Sequence, residues 1–277
     1  MTSTQLVNYP APAGTESSPD FTLKVNGQAV FVYTARVSRL PLNQMWPGHQ
    51  RSLDQTEIAS FAYFDFSGKA SLEITSLKAI QNVVVRPKSY AIQPVVTGST
   101  LQFELDHPCQ VVVEVNGLHH ALHLFANPLE TNAPKQGDAH THYFGPGVHE
   151  IGMFQVHSGE TVYIAGGAIC YGSLNASEAQ DIKICGRGIL DASKFARNDA
   201  NQIIALKSCS KVEASGLILR DANVYAVTPD HCQDVTITNL KVIGLWRYNS
   251  DGIDICNSSH VLVQDCFVRA FDDGLVV

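Results

Sequence analysis

The second half of the chain repeats a short apolar strand pattern, and this repeat constrains the fold more than any single motif. Five segments align, at intervals of 20, 30, 23 and 26 residues: VYIAGGAI from Val162, IKICGRGI from Ile182, VEASGLIL from Val212, VTITNLKV from Val235 and VLVQDCFV from Val261. Such spacing is typical of units that stack and bury their apolar faces against their neighbours. The second half is therefore predicted to form a solenoid of short strands.

Two further features indicate the kind of solenoid. A second strand-like run precedes each of the last three segments, and small residues lie three positions before the last four: Ala179, Cys209, Cys232 and Ser258. Inward side chains that stack in ladders explain this recurrence, whereas a propeller needs about 40 residues per blade. We predict a right-handed parallel β-helix over residues 148–277, with an ordinary antiparallel β domain as the alternative.

The first half has a different pattern of apolar and polar residues. From residue 21 to residue 125 it alternates apolar and polar residues in about ten short runs separated by turn residues, a pattern typical of a β-sandwich. Asn26-Gly27 and Asn116-Gly117 each separate two strand-like runs and predict tight hairpins. The predicted organisation is all-β, with a flexible segment 1–20, a β-sandwich over 21–125, a linker over 126–147 and then the β-helix.

Charge and composition exclude several classes of protein. The net charge is -7 and no basic stripe indicates a nucleic-acid partner. The first twenty residues lack the basic start and apolar centre of a secretory signal, and no apolar run is long enough to span a bilayer. The seven cysteines lack the spacing of a metal site and are expected to be reduced. These features predict a cytoplasmic protein without a membrane partner, or a secreted one if a leader was removed.

Three aspartates near the end of the chain fall into the register of the repeat. Asp251 lies ten residues before Val261, and Asp272 and Asp273 lie eleven and twelve residues after it, which places them one coil apart at one corner. Stacked strands are about 4.8 Å apart, and like charges at that distance raise the pKa of one carboxyl. An inverting glycosidase uses one protonated and one ionised carboxyl. The alternative is a pair of acidic Asp-Gly turns.

The same residues resemble a known family. The segments NSDGIDI, from Asn249, and SSHVLVQDCFVRAFDDGLVV, from Ser258, are similar to the polygalacturonase family, glycoside hydrolase family 28. That family has Asn-Thr-Asp-Gly-Ile-Asp followed by Gly-Asp-Asp; here Ser250 replaces Thr and Phe271 replaces Gly. The resemblance covers about residues 143–277. It implies a glycoside hydrolase that acts on a polysaccharide or oligosaccharide, with a pectic galacturonide favoured, and without metal or other cofactor.

Residue roles also follow from the resemblance. It implies that Asp272 is the general acid, that Asp251 and Asp273 hold and activate the attacking water, and that Asn249 supports them in the cleft. The family pattern continues with Gly-His and Arg-x-Lys, and the chain ends before either, so we expect a truncated β-helix of low activity. A β-sandwich ahead of a β-helix also resembles the dextranase and isopullulanase family, glycoside hydrolase family 49, which leaves a neutral glucan open as the substrate.

Four residues beside the aspartates are candidates for substrate binding. Trp246 and Arg247 directly precede the motif, and by register Asn223 and Tyr225 lie one coil earlier. An aromatic ring stacks on a sugar face and an arginine binds a carboxylate, although turn packing explains these residues equally well.

Two other interpretations stay open at this point. One is a cupin-like metal protein: His140 and His142 lie on one face of a strand, but no acidic residue or third histidine follows at the spacing of a metal site, so this interpretation is disfavoured and no metal ligand is assigned. A non-catalytic carbohydrate-binding β-helix is the alternative from another class of protein.

Overall fold

The structure is a computed structural model that describes residues 4–39, 52–197 and 199–277. Within these ranges the chain is almost entirely strand and turn, and the helices are two single 3-10 turns, Leu53–Gln55 and Lys88–Tyr90. Neither is long and apolar enough to cross a membrane. The chain divides into two compact units: Met1–Ala35 with Glu57–Thr131, and Arg36–Thr56 with Asn132–Val277.

The N-terminal unit contains two sheets. The first consists of β1 (Gln5–Asn8), β4 (Tyr33–Ser38), β5 (Thr56–Ser67), β7 (Val83–Arg86), β10 (Cys109–Val115) and β11 (Leu122–Pro128). The second consists of β2 (Phe21–Val25), β3 (Gln28–Val30), β6 (Ala70–Ser76), β8 (Val95–Thr97) and β9 (Thr100–Leu105). Buried side chains of both sheets form one apolar cluster, which includes Leu23, Phe64, Leu101 and Val111. The two sheets therefore share a core.

The first Asn-Gly pair forms the predicted hairpin. Asn26 and Gly27 have φ angles of 49° and 76°, and Val25 lies opposite Gln28, so these two residues alone join β2 to β3. Both central residues of such a turn need a positive φ, which Asn and Gly adopt at low cost.

The prediction of a tight hairpin at Asn116-Gly117 is wrong. β10 and β11 do pair antiparallel, but the last pair of residues is Val113 with Leu122, so the connection is longer than two residues. The Asn116 side chain instead contacts a neighbouring loop: its Oδ1 accepts the backbone N–H of Gln81 at 2.7 Å. The end of β10 pairs with β7 instead of β11.

The C-terminal unit is a solenoid of parallel strands that makes six successive coils within the described residues 141–276. Its first ladder consists of β12 (Thr141–Phe144), β14 (Thr161–Ile164), β16 (Gln180–Gly186), β19 (Ser210–Ser215), β22 (Gln233–Thr238) and β25 (Ser259–Gln264). Two further ladders begin in the long strands β13 (Gly147–Gln155) and β15 (Ala168–Ser177). One continues through β17 (Ile189–Asp191), β20 (Ile218–Arg220), β23 (Lys241–Ile243) and β26 (Phe267–Val268), and the other through β18 (Gln202–Lys207), β21 (Tyr225–Asp230), β24 (Asp251–Asp254) and β27 (Leu275–Val276).

Strands also occur in the two segments that were predicted to be irregular. β1 lies within the segment 1–20 predicted to be flexible, and it pairs antiparallel with β5 while Leu6 packs against the core cluster. The predicted linker 126–147 contains the end of β11 and all of β12, which pairs with β14. Backbone pairing orders these short segments although their sequences are rich in polar residues and proline.

The register of the first ladder agrees with the repeat for four of the five segments. Ile182 pairs with Val212, Val212 with Val235 and Val235 with Val261. Alternate side chains of these strands enter one apolar core, together with the small residues Ala179, Cys209 and Cys232. The parallel solenoid is thus confirmed.

The alignment of the first segment needs a correction. Val162 pairs with Ile184 and not with Ile182, whereas Ile169 does pair with Ile189. From Val162 to Ile169 the chain therefore contains two residues more than from Ile184 to Ile189, the positions with which they pair. An alignment of strand patterns does not reveal an insertion that is confined to one turn.

The shorter turn brings two coils into close contact at Gly186. This residue has a φ of 130°, and a Cβ atom added to it would lie 2.0 Å from the carbonyl oxygen of Ile164. No other residue fits this position without moving the backbone of the neighbouring coil.

Candidate active site

Two successive coils of the solenoid bring three aspartates to one corner. β24 begins at Asp251 and pairs with β27, with Ile253 opposite Leu275. The N–H of Gly252 donates to the carbonyl oxygen of Asp273 at 2.9 Å. Asp251 and Asp273 are therefore neighbours on adjacent strands, about 4.8 Å apart along the solenoid, which is the register that the repeat predicts.

Asp272 is joined to the same corner through the backbone. The carbonyl oxygen of Ser250 accepts the N–H groups of Phe271 and Asp272, both at 3.2 Å. Asp272 and Asp273 are exposed, whereas Asp251 is only 8% exposed. The corner thus combines one buried carboxyl with two that solvent or a ligand reaches.

The carboxyl of Asp251 is buried, and burial opposes its ionisation. Burial, followed by the charges of Asp254 and Asp272, raises the pKa of Asp251 to about 7. Its Oδ1 has no hydrogen-bond partner among the described residues. A carboxyl with a pKa near 7 is suited to take up or give a proton near neutral pH.

A fourth carboxyl, Asp254, lies at the end of β24. It is 5% exposed, and neither of its carboxylate oxygens has a hydrogen-bond partner in the described part of the chain. Burial, followed by the charge of Asp273, raises the pKa of Asp254 to about 6. An ionised Asp254 is therefore costly to the fold, which is typical of a group retained for function.

Asp254→Asn is expected to stabilise the protein at alkaline pH. The pKa of Asp254 is higher in the folded protein than in the unfolded chain, so the stability that this group supports is lost as pH rises from about 4 to about 6. Asparagine carries no charge at any pH, and we expect a gain of about 1–2 kcal/mol at pH 8. Urea unfolding of both proteins at pH 8 and pH 4 measures this gain. A loss of stability at pH 8, or an equal gain at pH 4, would contradict the account.

Asn249 and Tyr225 lie beside the acidic corner as the register predicts. Tyr225 pairs with Asp251 on the neighbouring strand, and the Asn249 amide donates to the Tyr225 hydroxyl at 3.3 Å. Asn249 has a φ of 55°, a conformation that asparagine adopts more easily than most residues. Both side chains are half-buried and remain predicted substrate contacts.

Trp246 and Arg247 contact the half-buried carboxylate of Asp221 on the preceding coil. The Trp246 indole N–H donates to Asp221 Oδ1 at 3.0 Å, and Arg247 Nε lies 3.5 Å from the same oxygen. Burial raises the pKa of Asp221 to about 6, against the attraction of Arg247. The Trp246 ring lies close to the guanidinium groups of Arg36 and Arg247, 5.9 and 5.3 Å from its centroid. The predicted sugar-stacking role of Trp246 and the predicted carboxylate-binding role of Arg247 stay predictions.

Asn223 is buried and connects the site to a loop that sequence reasoning did not identify. Its amide donates to the carbonyl oxygens of Ala196 and Ala200 at 2.8 and 3.0 Å. Arg197, in the same loop, donates to the carbonyl oxygens of Asn223 and Tyr248. Asn223 is 1% exposed, so its contacts in this structure are with the loop.

Among the described residues no group of three or more His, Cys, Asp or Glu side chains has the arrangement of a metal site. His142 lies 3.1 Å from Glu160, which also accepts the backbone N–H of His157 at 2.7 Å.

Several residues of this corner had weak signals in the sequence. Asp254 belongs to the motif NSDGID, but strand alternation places residues three apart on opposite faces, which argues against it. Arg197 lies in an insertion between β17 and β18 without repeat register. Asp221 directly follows β20, and its position after a repeated strand is the only feature of the sequence that indicates a role for it.

Comparison with known proteins bears on the part of the chain that contains this corner. Residues 186–277 match the model of glycosyl hydrolases family 28. A probable polygalacturonase of Arabidopsis thaliana is 32% identical over 75 residues, which are 27% of this chain and 16% of that protein. The resemblance to the polygalacturonase family is confirmed for this region.

A solved structure with a TM-score above 0.5 shares the fold. Dex49A from Penicillium minioluteum superposes with a TM-score of 0.68 at 15% identity, over 91% of this chain and 63% of that one. A family 28 exopolygalacturonase of Yersinia enterocolitica gives a TM-score of 0.44 at 13% identity, over 99% of this chain and 62% of that one. The chain thus spans less than two thirds of each of these proteins and about a sixth of the curated relative.

Proposed function

We propose that the protein hydrolyses glycosidic bonds of a polysaccharide or oligosaccharide at the corner formed by Asp251, Asp272 and Asp273. One observation carries this proposal: two successive coils place three carboxyl groups side by side, and the pKa of one of them is raised to about 7. Hydrolysis by acid and base needs such a pair of carboxyls in different protonation states. The family 28 match over residues 186–277 supports the same reaction.

The proposed reaction inverts the configuration of the anomeric carbon. One carboxyl gives its proton to the glycosidic oxygen as the bond from that oxygen to the anomeric carbon breaks. A second carboxyl takes a proton from the water whose oxygen bonds to the carbon on the opposite face. The resemblance assigns the first role to Asp272 and the second to Asp251 and Asp273. The pKa of about 7 suits Asp251 to accept a proton from water near neutral pH.

A pectic galacturonide is the proposed substrate. The identity of 32% to a probable polygalacturonase supports it. Two guanidinium groups near the corner, Arg197 and Arg247, also suit an anionic sugar, since the charge of Arg247 lowers the pKa of Arg197 in addition to burial and the two are therefore close.

The finer features of the fold belong to the same proposal. The N-terminal unit is proposed to be a β-sandwich, because its two sheets share one core cluster. The solenoid is proposed to be right-handed, because connections between parallel strands of one sheet are almost always right-handed. The cytoplasmic location and the absence of nucleic-acid and membrane partners stay predictions of the sequence.

The proposal is tested by incubating the purified protein with polygalacturonate and with dextran and measuring new reducing ends. Proton NMR of the first product gives its anomeric configuration. We expect release from polygalacturonate with inversion; release from dextran alone would transfer the activity to a neutral glucan. Binding of either polymer without release would make the protein a carbohydrate-binding solenoid and overturn the proposed function.

A further inference from the structure

Ser250 closes the turn that leads into the acidic corner. It is fully buried, at 0% exposure, and its hydroxyl donates to the carbonyl oxygen of Arg247 at 2.6 Å. Asn249, within this turn, has a φ of 55°. A buried side-chain hydrogen bond across three residues fixes the backbone of such a turn, including the direction of the Ser250 carbonyl group.

The carbonyl group of Ser250 is also the point to which the next coil attaches. It accepts the N–H groups of both Phe271 and Asp272 at 3.2 Å. The side chain of Asp272 is exposed, so packing does little to hold it. The position of Asp272 relative to Asp251 therefore depends on the conformation of the residue directly before Asp251.

The turn is anchored on its other side by the preceding coils. Arg247 and Trp246 contact Asp221, and Arg197 donates to the carbonyl oxygen of Tyr248 at 2.8 Å. An ion pair from Asp221 to Arg247, the hydrogen bond from Ser250 to the Arg247 carbonyl group and the backbone bond from Asp272 to Ser250 thus connect three successive coils.

We propose that Ser250 is a positioning residue whose hydroxyl orients its own carbonyl group and thereby holds Asp272 at its working distance from Asp251. This inference rests on the proposed function, because the distance affects a reaction only if both aspartates take part in it. A displacement of about 1 Å costs on the order of 10²-fold in rate. Ser250 itself does not touch the substrate.

The test compares Ser250→Ala with Ser250→Thr in the full chain. Thr keeps the hydroxyl, whereas Ala removes it at little cost in volume. We expect Ser250→Ala to lower kcat by about 10–100-fold and to leave KM within about threefold, and Ser250→Thr to retain wild-type kcat within about threefold. A thermal unfolding curve for each variant separates this effect from loss of folded protein.

A second readout does not depend on activity. Carbon-13 NMR follows the titration of the Asp251 carboxyl in the same variants. When Asp272 moves away, one of the like charges that oppose ionisation is lost. We therefore expect the midpoint of Asp251 to fall by about half a unit or more in Ser250→Ala and to stay in place in Ser250→Thr.

Different results would contradict the role of Ser250 and the proposed hydrolysis. A wild-type kcat and an unchanged Asp251 titration in Ser250→Ala would overturn the role of Ser250. A wild-type protein without activity on any glycan would remove the proposed function, and the titration would still decide whether Ser250 positions the carboxyls. If Ser250→Ala does not fold, Ser250→Cys takes its place, because a thiol is a weaker donor of similar size; the same changes are expected, and their absence counts against the proposal.

Discussion

Asp272→Asn is expected to lower kcat for a natural polysaccharide by about 10²–10⁴-fold, the usual contribution of a general acid. KM should change by less than about threefold, because the lost interaction exists only in the transition state. The side chain is exposed and the backbone bond from Asp272 to Ser250 is unaffected by the substitution, so we expect the fold to be retained. Steady-state kinetics on the wild-type substrate measure the loss.

The leaving group identifies which aspartate donates the proton. An aryl glycoside with a good leaving group needs little protonation, so Asp272→Asn should keep most of its activity on such a substrate. Asp251→Asn and Asp273→Asn should lose activity on both kinds of substrate, because the water still needs a base. An equal loss on both substrates for Asp272→Asn would assign the donor role to another carboxyl.

Gly186→Ala is expected to lower the free energy of unfolding by more than about 3 kcal/mol. The added methyl group would lie 2.0 Å from the carbonyl oxygen of Ile164, and the backbone has a φ of 130° that alanine rarely adopts. One coil must therefore move away from the other. Urea unfolding followed by circular dichroism measures the effect.

Gly159→Ala is the matched control for this substitution. Gly159 lies in the same unit and also has a positive φ, 77°, but a Cβ atom there would meet nothing within 4 Å. Alanine should cost only about 1–2 kcal/mol at this position, through the backbone conformation alone. Equal losses for the two variants would show that the close contact at Ile164 does not matter.

The sequence allowed the solenoid to be predicted because its signal is repeated. Val212, Val235 and Val261 lie in register in the structure since every coil must place its apolar residues over those of the coil before it. The insertion between β14 and β15 was missed, because a turn on the outside of a solenoid changes in length without disturbing the ladders on either side. The two Asn-Gly pairs also show that a short local motif does not determine its structural role. Asn26-Gly27 alone joins two strands of a hairpin, whereas Asn116 accepts a backbone N–H from a neighbouring loop.

The acidic corner was predictable for the same reason, since the ladder carries Asp251 onto the next coil at Asp273. The repeat does not predict the contacts made by loops that are inserted between its strands. Arg197 reaches Tyr248 from a loop without register, and Asp221 contacts Trp246 and Arg247 across a turn. Only the packing of three coils brings these side chains together.

The most direct measurement is the release of reducing ends by the wild-type protein, Asp251→Asn and Asp234→Asn on the same polysaccharide. Asp234 is an exposed aspartate that lies on a different ladder and pairs with His260 at 3.3 Å, so its replacement controls for the loss of an aspartate outside the corner. We predict a loss of at least about 100-fold for Asp251→Asn and wild-type activity for Asp234→Asn. Equal activity of the wild type and Asp251→Asn would contradict the assignment of this corner as the active site.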